Sequence, residues 1–124
     1  MAFTGKYVLE KEENLEEFLK AVGIKKEDLS NEAMITDMYQ NDRFRLTKTV
    51  KDKTWNNQFT IGQESELQTE AGETFKTTVT LNGGKLKIQF PKYLYTAEVQ
   101  EHDKLIEVRS AGAVSSTTTS RRMM

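Results

Sequence analysis

Apolar and polar positions alternate with a period of two over most of this chain, and once they do not. Between residues 74 and 90, Phe75, Thr77, Val79 and Leu81 alternate with Thr74, Lys76, Thr78 and Thr80. After Asn82-Gly83-Gly84, Leu86, Ile88 and Phe90 alternate with Lys85, Lys87 and Gln89. Such alternation describes strands with one dry and one wet face. Asn and Gly accept the positive φ angles of a tight hairpin turn. The inner face of the first strand is mixed, because Thr77 sits among Phe75, Val79 and Leu81. A mixed inner face suits a sheet wrapped around a wet cavity better than one closed on a dry core.

The exception to the alternation lies near the start. Residues 5–11 predict a first strand with Tyr7 and Leu9 on one face. Asn14 then stands as a helix N-cap, with Glu17 at capping-box spacing. Leu15, Phe18, Leu19 and Val22 fall at i, i+3, i+4 and i+7, one helical stripe that Gly23 terminates. A second short helix is expected over about 26–33, carried by Leu29 and Ala33. The helical pair, about residues 14–33, reads as a cap. Its second member bears Glu27, Asp28 and Glu32, which are unsuited to phosphates and base edges.

From Met34 the pattern returns to strands, expected over 34–39, 44–50, 55–61, 65–70, the hairpin, 93–100, 105–110 and 113–122. That is one strand before the helices and nine after. Short strands at such regular spacing argue for an all-β sandwich or an up-and-down barrel.

Composition narrows the function classes. A chain of 124 residues is one domain, 1–124, with a single core. A net charge of −1 gives no reason to expect nucleic acid. The absence of cysteine excludes disulfides, thiol catalysis and thiolate zinc. No apolar stretch follows the first residues as in a secretory signal, and none is long enough to span a bilayer, so a cytoplasmic protein is expected; it is taken as a monomer.

No reaction is proposed by the residues. His102, the one histidine, lies between Glu101 and Asp103 in an expected turn, and a histidine zinc site lacks its second ligand. Gly83-Gly84 precedes a strand rather than a helix, so it is not a phosphate loop. The chain is read as a non-enzyme with no cofactor and no metal.

The chain resembles the intracellular lipid-binding proteins, the family of fatty-acid, retinoid and bile-acid binders. The resemblance runs over MAFTGKY (1–7), NLEEFLKAVG (14–23), NQFTIGQESELQT (57–69), GETFKTTV (72–79), GGKLKIQFPKYLYTAEV (83–99) and DKLIEV (103–108). The opening heptapeptide, the GGKL turn and Phe90-Pro91 resemble the ileal bile-acid-binding branch in particular. The resemblance implies a lipocalin-like (calycin) barrel of ten antiparallel strands, with the helix-turn-helix cap between the first two. It also implies that a bile acid, fatty acid or similar lipid is carried inside. Retinoid binding, or a scaffold role with a vestigial cavity, are the alternatives.

Alternation within that fold proposes the lining. Phe18, Leu46, Trp55, Asn57, Thr69, Phe75, Thr77, Tyr93, Tyr95, Glu107, Arg109 and Thr118 are the expected ligand-binding residues. Of these, Asn57, Thr69, Tyr93 and Glu107 match positions that contact bile acids in the ileal branch. Asn57 stands out because an inward amide requires partners, here expected from water or ligand. The family's Arg-x-Tyr carboxylate clamp is replaced by Thr118 and Ser120, and its second arginine by Glu98. Leu46 stands where the ileal branch has a tryptophan. Arg109 is the candidate replacement cation if alternation carries it inward; a bulge would instead turn it out and Val108 in. Lys20, Lys25 and Lys26 near the cap offer a transient membrane contact, which the neighbouring acids oppose.

Overall fold

The computed structural model describes residues 3–24, 34–50, 53–69 and 72–123. Eleven strand segments and one helix follow in the order β1 (Gly5–Glu13), α1 (Leu15–Val22), β2 (Ile35–Tyr39), β3 (Phe44–Val50), β4 (Lys53–Phe59), β5 (Glu64–Gln68), β6 (Thr74–Thr78), β7 (Thr80–Asn82), β8 (Lys85–Gln89), β9 (Leu94–Gln100), β10 (Lys104–Ala111) and β11 (Val114–Arg122). All pairings are antiparallel between neighbours in sequence, except that β1 also pairs with β11. Nine segments form one strongly curled sheet, ordered β4-β3-β2-β1-β11-β10-β9-β8-β7, and β5-β6 form a separate hairpin.

The hairpin fills the interval between the two edges of the large sheet. On one side the chain runs directly from β6 into β7, broken only at Val79, whose carbonyl accepts from the Gly62 amide at 2.8 Å. The ten expected strands thus appear as eleven segments because one of them is interrupted at this buried valine. On the other side, β4 and β5 are joined by a side chain rather than a ladder. Asn57 donates from Nδ2 to the Gln68 carbonyl (3.0 Å) and accepts the Gln68 amide at Oδ1 (2.9 Å). One amide thereby satisfies both backbone groups of a residue on the facing edge, which would otherwise be costly to bury.

The β7–β8 turn is Gly83-Gly84 at φ 58° and 78°, and Asn82 already pairs with Lys85. Two successive positive φ values match the right-handed strand twist and strongly favour glycine.

The apolar stripe of α1 is buried as its spacing requires: Leu15, Phe18, Leu19 and Val22 all face the barrel. Gly23 ends the helix in the left-handed region, its amide bonded to the Leu19 carbonyl at 2.8 Å. The start differs from expectation. Asn14 adopts φ 58°, and its side chain makes no cap hydrogen bond. Its Nδ2 donates instead to the Ser115 carbonyl at 2.9 Å, tying the helix entrance to β11. Asparagine tolerates this backbone region, so the residue serves a tertiary tie where the local pattern suggested a cap. The second expected helix, 26–33, lies outside the described residues.

One end of the barrel is sealed by aromatic packing. Phe44 and Phe59 stack at 5.1 Å, and Phe3 meets Phe44 edge-on at 5.7 Å. Tyr7 is buried beneath the Arg122 guanidinium, 4.9 Å from its ring centre, and donates to the Phe3 carbonyl. Arg122 also donates from Nε to the His102 carbonyl (2.8 Å) and from its terminal nitrogen to the Thr4 carbonyl. Gly5 lies under this arginine at φ 154°, and a Cβ there would overlap the guanidinium. Gly5→Ala combines backbone strain with displacement of Arg122. It is expected to lower stability by about 1–3 kcal/mol in urea unfolding; an unchanged midpoint would refute this.

Candidate functional site

Period-two alternation places most of the proposed lining inward. Phe18, Leu46, Asn57, Tyr93, Tyr95, Glu107, Arg109 and Thr118 are buried, and Trp55, Thr69, Phe75 and Thr77 are half-buried. An aromatic layer runs from the helix into the barrel. Phe18 meets Tyr93 edge-on at 5.4 Å, Tyr93 stacks on Phe90 at 5.0 Å, and Phe90 contacts Phe75 (5.1 Å) and Tyr95 (6.0 Å).

Beside this layer is a small cavity of about 20 Å³ lined by Leu46, Lys48, Trp55, Asn57, Phe90, Tyr93, Tyr95 and Arg109. That is room for about one water. Six of the twelve proposed residues therefore meet at one place, and Glu107 joins them through Tyr95 and Lys48.

The floor of the cavity is charged. Lys48, 3% exposed, donates to both carboxylate oxygens of Glu107 (2.7 and 2.6 Å) and to Thr36 Oγ1 (2.8 Å). The Tyr95 hydroxyl donates to Glu107 Oε2. Arg109 does face inward, 6% exposed, with its guanidinium carbon 5.3 Å from the centre of the Tyr95 ring. It lies opposite Tyr95 on β9 and Ser116 on β11. Thr118 sits opposite Glu107, its Oγ1 buried and without a hydrogen-bond partner.

Burial and mutual proximity set the protonation states. Burial drives the Lys48 ammonium down and Arg109 adds to this, while Glu107 opposes both; the net result is about 8. Burial alone would raise the Glu107 carboxyl, but Lys48, Arg109 and the hydrogen bonds from Lys48 and Tyr95 outweigh it and hold it below the usual value. The Tyr95 hydroxyl stays firmly protonated, raised by burial and by Glu107 beside it.

Three proposed residues have different work from that expected. The Asn57 amide takes its partners from the Gln68 backbone rather than from water or ligand. The Thr69 hydroxyl accepts the Glu73 amide (3.1 Å) in the β5–β6 turn and does not line the cavity. Thr77 lies opposite Ser65 in the hairpin, also outside the cavity lining. Lys48 and Thr36 were not singled out in the sequence, although Lys48 shares the face of Leu46 two residues before it.

Lys20 is exposed at the end of α1; Lys25 and Lys26 lie outside the described residues. No helix among the described residues is long and apolar enough to cross a membrane, and no cluster of three or more metal-ligating side chains occurs among them.

Residues 1–124 match the family model described as lipocalin / cytosolic fatty-acid binding protein family. A gastrotropin of Rattus norvegicus is 40% identical over 128 residues, covering 99% of each chain. Fatty acid binding protein 1-B.1 of Danio rerio is 34% identical over 129 residues, again covering 99% of each. A crystal structure of zebrafish ileal bile acid-binding protein complexed with cholic acid superposes with a TM-score of 0.86 at 34% identity, over 99% of this chain and 100% of that one.

Proposed function

The chain belongs to the lipocalin / cytosolic fatty-acid binding protein family, and we propose that it is a cytosolic carrier of acidic amphipathic lipids, bile acids before fatty acids. One observation carries the acidic part of this reading. Among the described residues, the buried charged side chains are Lys48, Arg109 and Glu107. Arg109 and Lys48 both line the cavity, and a cation on the wall of a desolvated cavity favours a guest that brings an acid group to it.

The preference for bile acids is supported by the gastrotropin relatives and by the lack of the Arg-x-Tyr clamp, where Thr118 and Ser120 stand instead. The buried Thr118 hydroxyl, without a partner of its own, suits a ligand that carries hydroxyls. A drug-sized or sterol-sized guest needs about 300 Å³ or more. The small cavity alone does not hold such a guest, and half-buried Trp55 on its wall is an aromatic side chain placed to yield. The cation at Arg109 also suits a deep carboxylate, which keeps a fatty acid as the second reading.

Competition titration of a displaceable fluorescent lipid with cholate and with oleate tests this reading. Cholate is expected to bind more tightly. Oleate binding tenfold tighter or more would reverse the two ligand classes, and failure of both to bind would remove the carrier function.

A further inference from the structure

Lys48 is the second buried cation at the cavity, beside Arg109, and its amine is paired with Glu107. Lys48 forms part of the cavity wall with Trp55, Tyr93 and Tyr95. Its three donor positions are fixed by Thr36 on β2 and by the two oxygens of Glu107 on β10. Glu107 is in turn oriented by the Tyr95 hydroxyl on β9, and Arg109 stands over the Tyr95 ring. Desolvation and a second cation favour the free amine that attacks carbonyl carbon, and Glu107, which holds the ammonium, is also placed to take its proton.

We propose that Lys48 captures long-chain lipid aldehydes as a Schiff base inside the barrel, an inference that rests on the reading that lipids enter this cavity.

The chemistry balances with the groups present. The ammonium passes one proton to Glu107, and the freed nitrogen pair forms a bond to the aldehyde carbon. The carbonyl π pair moves to oxygen, which takes the proton back from Glu107. The resulting carbinolamine gives a second nitrogen proton to Glu107. Glu107 delivers it to the hydroxyl, which leaves as water as the nitrogen pair forms C=N. An ammonium and an aldehyde become an iminium and water, with no oxidant or reductant.

The product fits the same surroundings. The iminium keeps its positive charge and one N–H, so the ion pair with Glu107 survives while the bond to Thr36 is given up. Burial, helped by Arg109 and opposed by Glu107, pushes the amine down to about 8, so it gives up a proton more readily than an exposed lysine does. Ordinary exposed lysines, near 10.4, are almost wholly protonated near physiological pH. The chain has no cysteine to compete for the aldehyde.

The test incubates the full chain with hexadecanal at pH 7.5, reduces with borohydride, and measures intact mass and peptide maps. In parallel, hexadecanol, oleate and cholate are titrated against a displaceable fluorescent lipid. One alkyl group per chain, on the peptide containing Lys48, is the expected result, and Lys48→Arg loses it. If that variant does not fold, the peptide map of the parent protein decides alone. Alkylation confined to exposed lysines, or none, while hexadecanol binds, overturns the aldehyde inference and leaves the carrier reading intact. Failure of all three guests to bind, with no alkylation at Lys48, overturns both.

Discussion

Glu107→Gln is expected to lower the unfolding free energy by about 3–5 kcal/mol, the usual penalty for removing one partner of a buried ion pair. The glutamine preserves shape and some hydrogen bonds. It leaves Lys48 and Arg109 together in the barrel with no carboxylate from the pair, and both are nearly fully buried. The double variant Lys48→Met/Glu107→Leu should recover much of the loss. Apolar replacement of a whole buried pair is often neutral or stabilising, whereas breaking it is not. Urea unfolding of the parent, both single variants and the double variant gives the coupling directly. A loss below about 1 kcal/mol for Glu107→Gln would mean that the pair is energetically idle, as exposed pairs are.

The pH dependence has a definite sign. The folded-state pKa of Glu107 lies below the unfolded value of 4.5, so the unfolded chain binds the proton more readily. Its stabilising contribution is therefore fully present above the unfolded value and fades as pH falls through the folded one. Glu107→Gln lacks that contribution, so the gap between parent and variant should narrow under acid conditions. Lys48 acts at the other end. Its folded value of about 8 lies below its ordinary 10.5, so the unfolded chain binds more protons between the two and stability rises there with pH. Without Glu107 the Lys48 amine should discharge at still lower pH, which narrows the gap from the alkaline side too.

The fold was legible because alternation fixes which side chains share a face. Leu86, Ile88 and Phe90, or Leu105, Glu107 and Arg109, occupy the interior as their spacing requires. What alternation cannot supply is the partner across the barrel. Lys48 and Glu107 meet from 59 residues apart, and no local pattern pairs them. Lys48 was still within reach of the reading, since it follows Leu46 at the strand period. A lysine at an inward position looks like an exception to the pattern until its carboxylate is known. Asn14 and Asn57 failed in the opposite way. Each has a plausible local or ligand role, and each instead spends its amide on distant backbone, Ser115 and Gln68 respectively. The break at Val79 is likewise invisible in a run of perfect alternation, because it arises where one strand changes partner from β5 to β8.

Arg109→Gln is expected to weaken an anionic ligand by about 1.5–3 kcal/mol, the worth of a charge-assisted hydrogen bond, or roughly 10- to 150-fold in affinity. An uncharged analogue of the same skeleton should bind almost as before. The expectation follows from geometry. Arg109 lines the cavity and its guanidinium stands over the Tyr95 ring, which limits its orientations before any ligand arrives. Lys48 is less available to an acid group, because its three donors already serve Thr36 and Glu107. A carboxylate entering the cavity would need to displace Glu107 to reach Lys48, and the planar guanidinium of Arg109 has the geometry for two parallel hydrogen bonds to a carboxylate. The two residues can therefore be told apart by calorimetric titration with cholate and with its neutral methyl ester. Selective loss of cholate binding in Arg109→Gln assigns the acid to Arg109. Equal weakening of both ligands would make Arg109 a packing element of the Tyr95 wall. Unchanged affinity for both would place the acid group near the open end of the barrel, in solvent.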